Sequence, residues 1–346
     1  MMKRDLRMVT IKDIAEKAGV STTTVSNVIH GKTKKVSPAN VKKIQNLINE
    51  MGYVQKLGLR VLNNEKSQLI AVVINSHKEY EEQIFADPFY GRALGAIERS
   101  LRLKGYYMMF YSSDDIDDIF KMVMAWNVDG VIALTFSKRD CEKLYYMIHK
   151  PVISIDAYGE TDDQQTVPNV GLDDFEGGYL MVQYLLNCGY ENIYVCASKD
   201  HGVDHLRWLG AKRAFEEDSD KDKKRIQFVT LGKSLSFREN HYQQMARQIP
   251  FKKKTVAFFL SDLFALEAIS HFSDQGIKIP EQIGVAGYDD ISYARFAVPR
   301  LTTIHQDIDE KANYAVNELL KCLNDKHYKI PLEYKLTVRL IARQSV

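Results

Sequence analysis

From residue 69 onward, short apolar runs alternate with longer stretches in which apolar residues recur every three or four positions. The runs predict strands and the stretches predict amphipathic helices, an alternation that indicates doubly wound parallel sheets. Eight strands are predicted, at 69–74, 106–111, 130–134, 151–156, 192–197, 226–231, 255–260 and 283–289. The helices between them are predicted to begin near Pro88, Ile116, Arg139, Asp174, His205, Arg238, Asp262 and Asp309.

These strands form two groups of four, which predicts two α/β lobes in tandem with a break near residues 161–167. Ligands of open α/β sheets bind beyond the carboxyl ends of the strands. The cleft between the two lobes is therefore the expected ligand pocket.

The first part of the chain has a helical pattern of a different kind. Residues 9–31, VTIKDIAEKAGVSTTTVSNVIHG, predict two short helices joined by a tight turn. Thr10 is the expected N-cap of the first helix, Gly19 its end, and Ser21 the N-cap of the second. A third helix is predicted from Ser37-Pro38 to Gly52. The arrangement predicts a small all-α helix-turn-helix, although two ordinary packed helices would give a similar pattern.

Charge separates this N-terminal part from the remainder of the chain. Residues 1–66 contain 13 Lys and Arg against 5 Asp and Glu, whereas the 346-residue chain as a whole has a net charge of only +2. Only the N-terminal part is suited to bind phosphates. We therefore divide the chain into an N-terminal arm (1–8), a DNA-binding headpiece (9–54), a linker (55–66) and a two-lobed core (67–346).

Several strings in the chain resemble the lactose/purine/galactose repressor family of bacterial transcription regulators. TIKDIAEKAGVS followed by TTTVSNVI matches the headpiece signature of that family, and VDGVIAL, SDLFALEAI, IGVAGYDD and PRLTTIHQD resemble its core, which is related to periplasmic sugar-binding proteins. The resemblance covers essentially the whole chain. It implies a homodimer whose paired headpieces bind two half-sites of a double-stranded operator.

The second helix carries short polar groups that can approach base edges, and the resemblance places Thr22, Thr23 and Asn27 at base-reading positions. In the family, the linker also folds on the operator and inserts a leucine into the minor groove, a position that Leu62 occupies here. Gln55, Gly58 and Leu59 depart from the family pattern, so an unstructured tether with Leu62 packed on the core is the alternative. The full predicted DNA-binding set is Thr10, Ser21, Thr22, Thr23, Thr24, Ser26, Asn27, His30, Leu59, Arg60 and Leu62.

Asp156 and Asp289 each end a predicted strand, and Arg207 lies near the start of a helix in the second lobe. Carboxylates accept hydrogen bonds from ligand hydroxyls or amines, and a guanidinium donates two in parallel. Helix capping is the alternative role for the aspartates. The resemblance places these three residues at effector-contact positions, together with Phe89, Tyr90, Ser261 and Gln306. A sugar is the favoured effector, with a purine or another small metabolite as alternatives, and either Leu235 or Phe237 aligns with one further contact position.

No catalytic site, metal site or cofactor is predicted. Cys141, Cys188, Cys196 and Cys322 are scattered, the histidines lack metal-ligand spacing, and the glycines at 177–179 fit close helix packing better than a phosphate loop. The chain has neither a long apolar run nor a secretion signal. We therefore expect a cytoplasmic repressor of a carbohydrate operon that is not an enzyme. Control by a partner phosphoprotein or a nucleobase corepressor is the alternative, and a solute-binding protein is a weaker one.

Overall fold

The computed structural model describes residues 9–29, 31–53, 66–75, 84, 86–159, 165–232, 234–249 and 251–346. The chain divides into two compact units, one up to Ser67 and one from Gln68 onward. Among the described residues, no helix is both long and apolar enough to cross a membrane.

The described residues of the first unit form three α-helices, α1 (Ile11–Ala18), α2 (Thr22–Ile29) and α3 (Pro38–Met51). The predicted caps are present: the backbone N–H of Asp13 donates to Thr10 Oγ1 at 3.3 Å, and that of Thr24 donates to Ser21 Oγ at 3.1 Å. Gly19 ends α1 in the left-handed conformation, with φ +68°. Fully buried residues from all three helices form one apolar core, which includes Ile14, Val25 and Ile44. The helix-turn-helix prediction is confirmed.

The first lobe of the second unit is built on a parallel sheet of six strands in the order β2-β1-β3-β4-β5-β11. The strands are β1 (Leu69–Asn75), β2 (Tyr107–Ser113), β3 (Gly130–Leu134), β4 (Val152–Ile155), β5 (Asn169–Leu172) and β11 (Glu333–Leu336). Its helices are α4 (Pro88–Leu103), α5 (Ile116–Ala125), α6 (Lys138–Ile148) and α11 (Ile308–Asn324). Side chains alternate across β1, so Ile70 and Val72 belong to one apolar cluster while Ala71 and Val73 belong to another. The sheet is therefore covered on both faces.

The second lobe repeats this plan, with strand order β7-β6-β8-β9-β10-β12. The strands are β6 (Asn192–Ala197), β7 (Arg225–Thr230), β8 (Thr255–Phe259), β9 (Gly284–Asp289), β10 (Thr302–His305) and β12 (Arg339–Ile341). The helices are α7 (Asp174–Asn187), α8 (Val203–Glu216), α9 (Leu235–Ala246) and α10 (Asp262–Asp274). Only β12 runs antiparallel to its neighbour among the described strands. The two-lobed α/β fold class is confirmed.

Helices α7 and α8 pack so closely that their glycines cannot be replaced without a shift. A Cβ atom on Gly178 would lie 1.8 Å from the carbonyl oxygen of Arg207, and one on Gly210 would lie 1.8 Å from that of Phe175. Real Cβ atoms do not approach backbone oxygens to this distance. The prediction that the GGY stretch at 177–179 serves close helix packing is confirmed for Gly178, whereas Gly177 makes room for the side chain of Tyr288.

The tandem order of the lobes is a prediction that the structure corrects. The strand β5 still belongs to the first sheet, so the first crossing follows Leu172 and not the expected break near residues 161–167. The chain returns to the first lobe between β10 and α11, and crosses again between β11 and β12. The four unpredicted strands, β5, β10, β11 and β12, have only three or four residues each. The predicted strand β4 is equally short but lies in the apolar run PVISI, whereas these four contain at most two consecutive apolar residues.

Candidate functional site

A cavity of about 310 Å³ lies between the lobes, at the carboxyl ends of the parallel strands of both sheets. We call it the cleft cavity. Its described lining is Ile74, Asn75, Ile84, Asp87, Phe89, Tyr90, Thr135, Asp156, Tyr158, Ala197, Ser198, Lys199, His201, Val203, Asp204, Arg207, Leu260, Ser261, Leu263, Phe264, Asp289 and Gln306. Its position is the one that doubly wound sheets use for ligands.

All seven residues predicted at effector-contact positions line this cavity. The first lobe contributes Phe89, Tyr90 and Asp156. The second lobe and its crossings contribute Arg207, Ser261, Asp289 and Gln306. Ser261 also caps α10, since its Oγ accepts from the N–H of Leu263 at 3.3 Å. The structure thus brings the predicted residues together from six separate segments of the chain.

A buried chain of hydrogen bonds joins the two strand-end aspartates. Lys311 Nζ donates to both carboxylate oxygens of Asp156, at 2.8 Å each, and to Gln306 Oε1 at 2.9 Å. Gln306 Nε2 in turn donates to Asp289 Oδ1 at 2.5 Å. The exposed fraction of each of these four residues is 7% or less. We call this set the interlobe chain, because it runs from the first lobe through the crossing at Gln306 to the second lobe.

Lys311 is a member of this set that the sequence analysis missed. A signal was present, because Lys311 falls among Ile308, Ala312 and Ala315 on the apolar face of α11. A lysine within an apolar stripe of a helix indicates a buried cation with a partner.

Arg207 is buried and interacts with four groups, one of which is Asp204, whose Oδ1 lies 3.8 Å from Nη1. Its Nε donates to Asp174 Oδ1 at 2.8 Å, and its Nη1 donates to the carbonyl oxygen of Leu260 at 2.8 Å. The guanidinium also lies over the ring of Tyr288, with 3.7 Å between the guanidinium carbon and the ring centroid. Because Asp174 neutralises Arg207, this lining side chain can donate a hydrogen bond to a ligand without adding a free positive charge.

Burial raises the pKa of three carboxyl groups in the cavity. It raises the pKa of Asp289 to about 7 and that of Asp204 to about 6, although Arg207 acts to lower both. Burial likewise raises the pKa of Asp87, and the N–H of Phe89, which donates to Asp87 Oδ1 at 2.9 Å, opposes the shift. Carboxyl groups that titrate near neutral pH in a cleft are typical of functional sites.

Backbone strain is also present at the cavity. Thr135, Asp156 and Asp289 have positive φ values of 58°, 54° and 119°, and each lies at or just after the end of a strand. Such conformations cost roughly 1–3 kcal/mol for residues other than glycine. Strain of this kind, retained at three lining positions, favours a binding role over simple capping.

The aromatic wall of the cavity differs from the one expected. Neither Leu235 nor Phe237 is part of the described lining, and the side chains are 48% and 61% exposed. Phe264, at the start of α10, supplies the second-lobe aromatic ring instead. Asn75 is a further lining residue that the sequence analysis missed, and its Oδ1 is buried without a hydrogen-bond partner among the described residues.

In the headpiece, Val25 and Val28 of α2 are buried in the core, and Ile29 packs against it. Thr22 and Thr23 are exposed, and Ser26 and Asn27 are partly exposed. Thr10 and Ser21 are engaged as caps, and Thr24 Oγ1 lies 2.9 Å from Ser21 Oγ. The predicted DNA contacts His30, Leu59, Arg60 and Leu62 lie outside the described residues.

Comparisons with known proteins cover both units. Residues 10–56 match the family described as "Bacterial regulatory proteins, lacI family", and residues 182–346 match a periplasmic binding protein-like domain. The HTH-type transcriptional repressor PurR of Actinobacillus pleuropneumoniae serotype 3 (strain JL03) is 30% identical over 347 residues, which cover 98% of each chain.

Two solved structures share the fold of this chain. The lac repressor dimer bound to operator and the anti-inducer ONPF has a TM-score of 0.78 at 22% identity, covering 98% of this chain and 99% of that one. The complex of the transcriptional regulator CelR with cellobiose has a TM-score of 0.68 at 23% identity, covering 98% and 100%. With 30% identity to a repressor over nearly the full length and a matching headpiece, this chain belongs to the lacI family of DNA-binding bacterial transcription regulators.

Proposed function

We propose that the chain is a homodimeric repressor whose operator affinity is set by a small, hydroxyl-rich effector held in the cleft cavity. The observation that carries this proposal is the convergence of all seven predicted contact residues on one cavity. Carboxylates, a neutralised arginine and aromatic rings are the groups that bind sugar hydroxyls and the apolar faces of sugar rings. The cellobiose complex of a structural neighbour supports the same ligand class.

A nucleobase corepressor is the second candidate, and the name PurR of the relatives favours it. The rings of Phe89 and Tyr90, whose centroids are 5.3 Å apart in an edge-to-face arrangement, could hold a flat heterocycle. Control by a partner phosphoprotein has no comparable observation in its favour.

On DNA, we infer that α2 enters the major groove, with Thr22, Thr23 and Asn27 at base edges. Thr10, Ser21, Thr24, Ser26 and His30 would position the helix on the phosphates, and Leu59, Arg60 and Leu62 would act at the minor groove between half-sites. Two headpieces of one dimer would occupy half-sites about one turn of DNA apart. The structure of the lac repressor dimer bound to its operator, which shares the fold of this chain, supports this arrangement.

The two lobes share the ligand, so its binding changes the stability of one lobe arrangement relative to another. If only one arrangement positions the headpieces for the operator, the ligand shifts operator affinity by the difference in its affinity for the two arrangements. We further infer that the chain works in the cytoplasm, where its operator lies, and that it is not an enzyme. The membership in a regulator family supports both inferences.

A thermal-shift screen of the full chain against sugars, sugar derivatives and nucleobases tests the proposal, since a ligand of the native state raises the melting temperature. A true effector should lose its effect in Asp289→Asn and keep it in the control Asp220→Asn, whose side chain is exposed and outside the cavity lining. The same ligand should change operator affinity in a gel-shift assay. A ligand whose effect survives Asp289→Asn would bind elsewhere, and the proposal would be wrong.

A further inference from the structure

The described lining of the cleft cavity has an excess of negative charge. Four carboxylates face two permanently charged cations: Asp87, Asp156, Asp204 and Asp289 against Lys199 and Arg207. Behind the lining, Asp174 and Lys311 have opposite charges, and the buried carboxyl group of Asp262 is a further acidic group near Asp289. The cavity is therefore an unfavourable place for a phosphate or carboxylate group.

The buried cations are already committed to carboxylates of the protein. Arg207 forms ion pairs with Asp174 at 2.8 Å and with Asp204 at 3.8 Å, and the ammonium of Lys311 donates to both oxygens of Asp156. Asp289 Oδ1 accepts only from the neutral amide of Gln306 among the described residues. Asp289 thus lacks a charged hydrogen-bond donor, although its side chain is within a few per cent of complete burial.

Asp87 and Asp289 belong to opposite lobes and repel one another across the cavity. Burial is the largest cause of the raised pKa of Asp289, and Arg207 opposes it. The negative charge of Asp87 raises the pKa of Asp289 further. Both carboxylates line the same space, so one positive group between them would relieve the repulsion and connect the lobes.

The aromatic rings of the cavity also suit a cation. Lys311 Nζ lies 5.8 Å from the ring centroid of Phe89, and Lys199 Nζ lies 4.8 Å from that of Tyr158. The face of an aromatic ring attracts ammonium groups through its quadrupole. Two of the lining rings therefore already accept ammonium groups of the protein itself.

We propose that the effector of this protein carries a protonated amine, which binds between Asp87 and Asp289 while its hydroxyls bind Arg207 and the other polar groups. This inference rests on the proposed function and narrows the ligand from hydroxyl-rich molecules in general to amino derivatives of such molecules. The same negative charge disfavours the binding of sugar phosphates and sugar acids.

Matched sets of ligands test the charge of the effector with the full-length chain. Each set contains a parent sugar, its terminal primary amine and its uronic acid, prepared for a pentose, a hexose and a disaccharide. The amine, like that of lysine with a pKa of about 10.4, stays protonated at neutral pH. We expect at least one amine to bind about tenfold or more tightly than its parent by calorimetry, and the corresponding acid not to bind.

Variants locate the effect in the cavity. Asp87→Asn and Asp289→Asn should each reduce the preference for amine over parent by about tenfold, the equivalent of one pKa unit of lost interaction. Asp220→Asn, an exposed aspartate outside the lining, should leave the preference unchanged. The proposal is overturned if a parent sugar or acid binds as tightly as its amine, if no amine binds, or if both variants keep the preference.

A gel-shift assay in the presence of the amine separates this inference from the proposed function. An amine that binds between Asp87 and Asp289 without changing operator affinity would confirm the charge of the ligand and refute the proposed allosteric role.

Discussion

The substitution Lys311→Met tests the interlobe chain, because it removes the cation and keeps a similar side-chain volume. In the native protein the Lys311 side chain is 2% exposed and donates to both oxygens of Asp156, whose side chain alone is 8% exposed. Without the ammonium, Asp156 is a buried carboxylate with no partner charge. Breaking a buried ion pair in this way typically costs about 3–5 kcal/mol.

A loss of this size lowers the midpoint of thermal unfolding by roughly 10 °C for a unit of this length. Urea unfolding followed by circular dichroism at neutral pH measures the loss.

The double variant Lys311→Met/Asp156→Asn should recover most of the stability, since it removes both charges and since asparagine tolerates the φ of 54° at position 156. Lys121→Met is the matched control, because it breaks an ion pair with Asp118 that is exposed on both sides. It should have no measurable effect. If Lys311→Met unfolds at the same urea concentration as the wild type, or if the double variant recovers no stability, the reasoning is refuted.

Three further predictions concern packing, DNA recognition and titration. Gly178→Ala should destabilise the core by about 1–3 kcal/mol or prevent folding, whereas Gly95→Ala, where a Cβ meets nothing within 4 Å, should stabilise α4 by roughly 0.5–1 kcal/mol in urea unfolding. Asn27→Ala should weaken binding to an operator selected in vitro from random DNA by about 1–3 kcal/mol at fixed salt, while Asn187→Ala, in the second lobe, should not. The ligand-free chain should lose stability between pH 5 and 8, because the pKa of Asp289 is about 7 in the folded state, well above its ordinary value, so the folded state binds more protons than the unfolded chain. Asp289→Asn should reduce this pH-dependent loss of stability by about 2–4 kcal/mol, as measured by urea unfolding. The charged groups that face Asp289 are Arg207, Asp87, Lys311 and Asp262.

The sequence predicted those features that depend on local patterns. The caps at Thr10 and Ser21 and the long buried strands follow from residues within a few positions of one another, so the periodic pattern was sufficient. The crossing after Leu172 was missed because strand β5 has four residues and its place in the first sheet depends on pairing with β4 and β11, which are distant in sequence.

The candidate site was predictable to the extent that single residues carry their own chemistry. Asp156, Arg207 and Asp289 were recognised because charged groups at strand and helix ends are conspicuous, but their partners were not. That Asp156 is neutralised by Lys311, 155 positions away, is a property of the folded chain alone. The aromatic residue Phe264 was missed for the same reason, since its approach to the cavity depends on how α10 begins after β8.

The interlobe chain connects ligand binding to the relative position of the lobes in physical terms. Gln306 lies in the crossing between β10 and α11, so any change in its hydrogen bonds to Asp289 and Lys311 acts at a segment that joins the lobes. A ligand that binds Asp289 alters the group to which Gln306 donates, and this alteration reaches Asp156 through one lysine. All four members of the interlobe chain are buried, so an intermediate arrangement that leaves one of their polar groups without a hydrogen bond is costly. The interlobe chain therefore favours distinct hydrogen-bonded arrangements over a continuous range. Such a buried network is suited to convert occupancy of a cavity of about 310 Å³ into a choice between lobe arrangements.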